Sequence, residues 1–141
     1  MLASGIGMKK ALQDISGLPK RGQLLVVDDN ETIQDILSKI LSFMRYDVTV
    51  ADNGLEALAL FRTGSFDLVM TDFQMPLMNG CELSRLVKEQ SPNTPVVVVT
   101  GCCDNKDWEN LNMNWIDAII LKPFSLKEIE KTVQRLLSNE A

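Results

Sequence analysis

Four short apolar runs divide the chain, at residues 24–27, 66–70, 96–99 and 118–121. They are rich in β-branched residues and continuous rather than alternating. That pattern marks strands covered on both faces, and so a parallel sheet. Residues 47–50 form a weaker run, expected at a sheet edge. Helical periodicity fills the gaps. Ile33, Ile36, Leu37, Ile40, Leu41 and Met44 recur at spacings of three and four. Leu55, Leu58 and Phe61 follow Asn53-Gly54, and Leu83, Leu86 and Val87 follow Gly80. Trp108, Leu111 and Trp115 suggest a fourth helix, made poor by Asn105, Asn110, Asn112 and Asn114. Leu126, Ile129, Val133, Leu136 and Leu137 form the last, which opens on Ser125 with Glu128 three residues on, a capping box. The order is β-α repeated five times with connections of a few residues. Right-handed crossovers then place helices on both faces of one five-stranded parallel sheet, an α/β fold.

Residues 1–22 precede this pattern as a basic extension. Met8, Leu12 and Ile15 allow a short amphipathic turn or two there, but a frayed terminus is the favoured reading. This stretch carries a net charge of +3 and the remainder −8, in a chain whose formal charge is −5. An acidic body of that kind argues against a broad nucleic-acid surface.

The 141 residues are 45% hydrophobic and 23% charged, which fits one ordinary globular domain, expected over residues 23–141. The absence of histidine changes the picture most. It removes Ser-His-Asp and Cys-His nucleophile systems, HExxH metalloproteases and His-ligated zinc. Cys81, Cys102 and Cys103 make no disulfide framework and no CxxC metal spacing, and point to a reducing cytoplasm. No apolar run approaches the ~18 residues of a membrane span.

In an open α/β sheet, ligands bind beyond the carboxyl ends of the strands. The first run is followed by Asp28-Asp29, the third strand by Thr71-Asp72, the fourth by Thr100-Gly101 and the fifth by Lys122-Pro123. Singly, each has an ordinary explanation. Asp28-Asp29 could cap the first helix, Asp72 could open a loop, Thr100 could end a strand, and Lys122 could be a solvated charge. Together they place three carboxylates, a hydroxyl and an ammonium at one edge. Two charges about 4 Å apart interact by roughly 4 kcal/mol at an effective dielectric of 20, so clustered carboxylates need positive charge among them. Lys122 supplies one. An oxygen-rich pocket without histidine suggests a hard divalent cation, Mg²⁺ first, and with it phosphoryl transfer.

Residues 23–138 resemble the receiver domain of two-component response regulators. The matching stretches are LLVVDDN at 24–30, NGLEAL at 53–58, DLVMTDFQMPLMNG at 67–80, PVVVVTG at 95–101 and LKPF at 121–124. The resemblance implies a flavodoxin-like (βα)5 sheet of order 2-1-3-4-5. It implies that Asp72 accepts a phosphoryl group from phosphohistidine. Asp29 and Asp72 would then bind Mg²⁺ directly, Asp28 largely through water, and Gln74 by its backbone carbonyl. Thr100 and Lys122 would contact phosphate oxygens, Lys122-Pro123 would be a cis bond, and Gly80 would be a structural position. Gln74 and Cys102 would stand where the family tunes phosphate lifetime. The implied partners are a histidine kinase or a histidine-phosphotransfer protein. The implied activity is self-phosphorylation in a switch, not multiple-turnover catalysis.

The sequence departs from the family over residues 101–119. Ile119 holds the switch position usually occupied by Tyr, Phe or His, and Trp115-Ile116 replaces the usual Gly-Ala. This stretch is the family's usual partner face, where Trp108 or Trp115 could anchor a partner or pack on the sheet edge. The departures raise the alternative of an interaction module that works without phosphorylation. A phosphatase with an aspartate nucleophile fits poorly, because Gln74 stands where that chemistry wants a second Asp. A dinucleotide site fits worse, since the first turn reads DDNET without GxGxxG. No second core follows residue 138, so a DNA-binding output domain is not expected within these residues.

Overall fold

The computed structural model describes residues 19–101 and 113–137. Strands β1 (Gly22–Val27), β2 (Tyr46–Ala51), β3 (Leu68–Thr71), β4 (Val96–Thr100) and β5 (Ala118–Leu121) form one sheet of order β2-β1-β3-β4-β5. Every neighbouring pair is parallel. Helices α1 (Glu31–Phe43), α2 (Gly54–Thr63), α3 (Gly80–Gln90) and α4 (Leu126–Leu137) cover it.

The continuous apolar runs have the expected cause. In β1, Leu24 and Val26 join one core layer, while Leu25 and Val27 join the other. The first layer packs Leu37 and Leu41 of α1 and Ile129 and Val133 of α4 against the sheet. The second packs Ala57 and Phe61 of α2 and Leu83 and Val87 of α3. Each fully buried aliphatic side chain contributes about 1.5–3 kcal/mol relative to exposure. A third, small cluster of Phe73, Val98 and Ile116, with Ile119 and Cys81 against it, lies beneath the β4–β5 end.

The weak run at residues 47–50 lies in β2, an edge strand whose middle residues are only half-buried. β3 starts at Leu68, later than the run at 66–70. Asp67 accepts from the Gln23 N–H at 2.8 Å through its side chain, and the Phe66 ring stacks on Phe61 with centroids 6.2 Å apart. Ile36, Leu55 and Leu126 are exposed, at the margins of their helical stripes. Gly22 already belongs to β1. The helix expected around Trp108 lies outside the described residues, as do residues 1–18.

Caps fix where the helices begin. Asn30, not Asp28 or Asp29, caps α1, its Oδ1 accepting from the N–H groups of Thr32 at 2.9 Å and Ile33 at 3.2 Å. That frees both aspartates. Asn53 and Asn79 cap α2 and α3 in the same way. The Ser125–Glu128 box is present, with reciprocal bonds of 3.1 and 3.0 Å.

Candidate functional site

β1 neighbours both β2 and β3, so the crossover direction reverses there and a crevice opens at the carboxyl ends of β1 and β3. Ladder bonding continues one residue beyond each strand. The Asp28 N–H donates to the Ala51 carbonyl at 3.2 Å, and the Asp72 N–H donates to the Val27 carbonyl at 2.9 Å. The backbone of both aspartates is thereby tied to the sheet.

Asp28 is 1% exposed, so its carboxylate needs partners. Its Oδ1 accepts from the Asn30 N–H at 2.8 Å and its Oδ2 from the Lys122 ammonium at 2.9 Å. The Asp72 Oδ1 accepts from the Phe73 N–H at 2.8 Å, and its Oδ2 lies 3.5 Å from Lys122 Nζ. Asp29 is exposed at the rim. One oxygen each from Asp28, Asp29 and Asp72 falls within 4.8 Å of the others. Burial pushes the Asp72 carboxyl above the usual aspartate range; Lys122 and the Phe73 N–H oppose that shift and Asp28 adds to it. The crevice thus disfavours further negative charge until a cation arrives. An all-oxygen set of carboxylate donors suits a hard divalent ion.

β4 and β5 deliver the other two groups. Thr100 is 3% exposed at the end of β4. The Lys122 N–H donates to the Thr100 carbonyl at 2.9 Å, which carries the pairing past β5, and the Lys122–Pro123 bond is cis. Asp28, Asp29, Asp72 and Lys122 therefore share one crevice, and Thr100 is tied to it through the Lys122 main chain. Gln74 is exposed in the loop two residues after Asp72. Gly80 has a steric cause: a Cβ there would overlap the Asp72 carbonyl oxygen and reach 3.0 Å from Phe73 Cα, while its N–H bonds the Phe73 carbonyl at 2.7 Å. Ile119 is half-buried in the third cluster. Trp115 is half-buried and lines a groove with Phe73, Cys81 and Arg85. Trp108 and Cys102 lie outside the described residues.

One neighbour of the site escaped the sequence reading. Gln34 is buried on the apolar face of α1 and donates to the Asp28 carbonyl. Its signal was a polar residue three before Leu37 and seven before Leu41, within an apolar stripe.

An open parallel sheet of this order, with an acidic crevice at its switch point, is the flavodoxin-like architecture of CheY-like proteins. Residues 24–134 match the family model of the response regulator receiver domain. Chemotaxis protein CheY4 of Vibrio cholerae is 32% identical with a TM-score of 0.75, over 82% of this chain and 98% of that one. The response regulator TrrA of Thermotoga maritima, solved in complex with Mg²⁺-BeF, is 30% identical with a TM-score of 0.75, over 82% and 98%. The probable transcriptional regulator ycf27 of Cyanidium caldarium is 34% identical over 118 residues, 84% of this chain and 47% of the relative. The chain belongs to the response regulator receiver domain family of two-component signalling. It spans from 10% to 50% of the length of the curated relatives it matches. Among the described residues, no helix is long and apolar enough to cross a membrane.

Proposed function

We propose that Asp72 accepts a phosphoryl group from the phosphohistidine of a histidine kinase or histidine-phosphotransfer protein, and that the resulting aspartyl phosphate switches protein contacts. The observation that carries this reading is the meeting of three carboxylates within 4.8 Å, two of them bridged by the Lys122 ammonium. An Asp72 carboxylate oxygen attacks phosphorus in line with the departing imidazole. The O–P bond forms as the P–N bond breaks, and the imidazole leaves as the neutral ring after protonation.

Asp29 and Asp72 would hold Mg²⁺ directly, with Asp28 through water and Gln74 by its backbone carbonyl. The bound ion supplies charge neutralisation for the transferring phosphoryl group. Lys122 pairs with Asp28 and Asp72 before transfer and turns to a phosphate oxygen after it. Thr100 offers its hydroxyl to another. Hydrogen bonds from the Asn30 N–H and the Lys122 ammonium hold the Asp28 carboxylate beside the reacting oxygen, while the exposed rim at Asp29 admits the donor.

Intact mass after incubation with a small phosphodonor tests the reading. Wild type with Mg²⁺ gains one phosphoryl group, sensitive to hydroxylamine; wild type without Mg²⁺ and Asp72→Asn with it gain none. Uptake by Asp72→Asn equal to wild type refutes it. Partner binding that ignores both phosphorylation and Asp72→Asn would instead favour a phosphorylation-independent module.

A further inference from the structure

We propose that Gln34 is a positioning residue for the metal-binding turn, holding the peptide unit between Asp28 and Asp29 so that both carboxylates serve one cation. The inference rests on the magnesium site proposed above and adds a residue to it.

Gln34 is 8% exposed on a face of α1 that otherwise buries Leu37, Ile40 and Leu41. A primary amide in such a place is costly unless its hydrogen bonds are made. Its Nε2 donates to the Asp28 carbonyl at 2.5 Å and to Asp52 Oδ1 at 2.7 Å. Both partners are acceptors only, so the amide nitrogen, not its oxygen, must face them. The amide orientation is therefore fixed by chemistry.

The Asp28 carbonyl belongs to the planar unit that also carries the Asp29 N–H. Holding that oxygen fixes rotation about the bond that sets Asp29's direction. Asp28 is held at three further points, its N–H by the Ala51 carbonyl, its Oδ1 by the Asn30 N–H and its Oδ2 by the Lys122 ammonium. Asp29, by contrast, is exposed, and its placement depends on the backbone that carries it. The far end of the bracket is anchored too: the Asp52 N–H donates to Glu56 Oε1 at 2.6 Å, in the first turn of α2. Gln34 thus links α1, the end of β2 and the aspartate pair after β1. Removing groups that orient metal ligands typically costs 10–100-fold in metal affinity.

Magnesium binding to the full chain, measured by titration calorimetry beside thermal melts, tests this. Gln34→Met keeps the length and apolar fit of the side chain and cannot donate. Gln34→Glu turns acceptors toward two acceptors. The expected result is a Mg²⁺ Kd about 10-fold weaker for Gln34→Met and weaker still for Gln34→Glu. Val133→Ala, a core change in α4, lowers Tm and leaves Kd unchanged. At saturating Mg²⁺ the maximal phosphorylation rate of Gln34→Met returns to the wild-type value. Asp52→Ala and Asp52→Asn remove the same charge from the exposed side of the bracket. Asn keeps an acceptor for Gln34 and binds Mg²⁺ more tightly than Ala, an outcome available even if Gln34→Met does not fold. A Gln34→Met Kd within twofold of wild type overturns the inference and spares the magnesium site. Equal affinities of the two Asp52 variants also overturn it. Wild type that takes up no Mg²⁺ overturns both.

Discussion

The carboxyl edge of the sheet has two halves, and they are held by different means. On the β1–β3 side, Asp28 and Asp72 are fixed through their main chains to neighbouring strands, and the Asn30 and Phe73 N–H groups grip their carboxylates. On the β4–β5 side the main chain also pairs, Lys122 to Thr100, but the working group is an ammonium at the end of a flexible stem. The core beneath differs as well. The acidic half rests on two large apolar layers, the basic half partly on the small cluster of Phe73, Val98 and Ile116. The difference has a chemical reason. Oxygens that must meet one small cation tolerate little displacement, so they are set by backbone geometry. An ammonium that must leave one carboxylate for an arriving phosphate needs reach, so it is set by a side chain.

Removing the link between the halves should have the largest effect. Lys122→Ala leaves Asp28, 2% exposed in its side chain, beside Asp72 without the ammonium. Breaking a buried pair this way costs roughly 3–5 kcal/mol, and the lower end is expected because the Lys122 side chain is 21% exposed and Asp72 can take up a proton. The Asp72 carboxyl should titrate higher still, since Lys122 is what most restrains its rise. Denaturant melts at pH 7 and NMR titration of the Asp72 carboxyl check both. The variant should still accept phosphate and respond to it poorly; normal partner engagement by the phosphorylated variant would refute that role.

Gly80→Ala tests the rigid half next. Its methyl would overlap the Asp72 carbonyl, so the loop after β3 or the start of α3 must move. Overpacking of this kind costs about 1–3 kcal/mol, and phosphorylation should slow as Asp72 shifts. Denaturant melts and the rate of mass gain report the two effects. A stable variant with the wild-type rate would mean that the acidic half is more yielding than its hydrogen bonds imply.

How far the sequence foretold these halves depends on what each feature rests on. The strands were legible because β1, β3 and β4 are covered on both faces, which leaves a continuous apolar run. Asp28, Asp29, Asp72, Thr100 and Lys122 were legible because the carboxyl end of a strand is a place that sequence order defines. The cap of α1 was not, because Asp28, Asp29 and Asn30 are all good caps and only the backbone decides among them. Ile36 and Leu55 fitted their helical stripes, yet they lie at the margin where periodicity cannot distinguish core from solvent. The cause of Gly80 was hidden in a contact with Asp72, since steric overlap is a tertiary fact. Gln34 was missed for a similar reason. Its partners are a carbonyl six residues back and a carboxylate eighteen ahead, and no local rule connects them.

A pH series separates the buried charge from the fold around it. The folded protein holds a proton on Asp72 more tightly than the unfolded chain does, because burial raises its pKa. Between the ordinary aspartate value, about 4, and the raised one, the native state therefore binds more protons, and its stability falls as pH rises through that window. Asp72→Asn has no such loss. In metal-free buffer its Tm should exceed that of wild type by a margin that grows from about pH 4 to the raised value and then levels off. Mg²⁺ at neutral pH should raise the wild-type Tm and leave Asp72→Asn less changed, since a ligand that binds only the native state stabilises it. A margin that shrinks with rising pH would mean that Lys122 outweighs burial at Asp72.

The smallest effect is expected in the basic half, with the opposite sign from Gly80. Gly101 follows Thr100, and a Cβ there would meet Lys122 Cβ at 3.7 Å and Cδ at 3.9 Å, ordinary van der Waals contact with a side chain. Among the described residues, Gly101→Ala has no overlap to relieve. By restricting the unfolded chain it should stabilise the protein by about 0.4–1 kcal/mol. The added methyl also lies along the Lys122 stem and should narrow the positions open to the ammonium. Phosphorylation should then proceed at the wild-type rate, because the acidic half is untouched, while the response of a partner to phosphorylation should change if Lys122 must swing to deliver it. Denaturant melts and partner binding with and without phosphodonor measure the two effects. A loss of stability comparable to that of Gly80→Ala would show that both halves are equally rigid, and the division between a fixed acidic side and an adaptable basic one would fail.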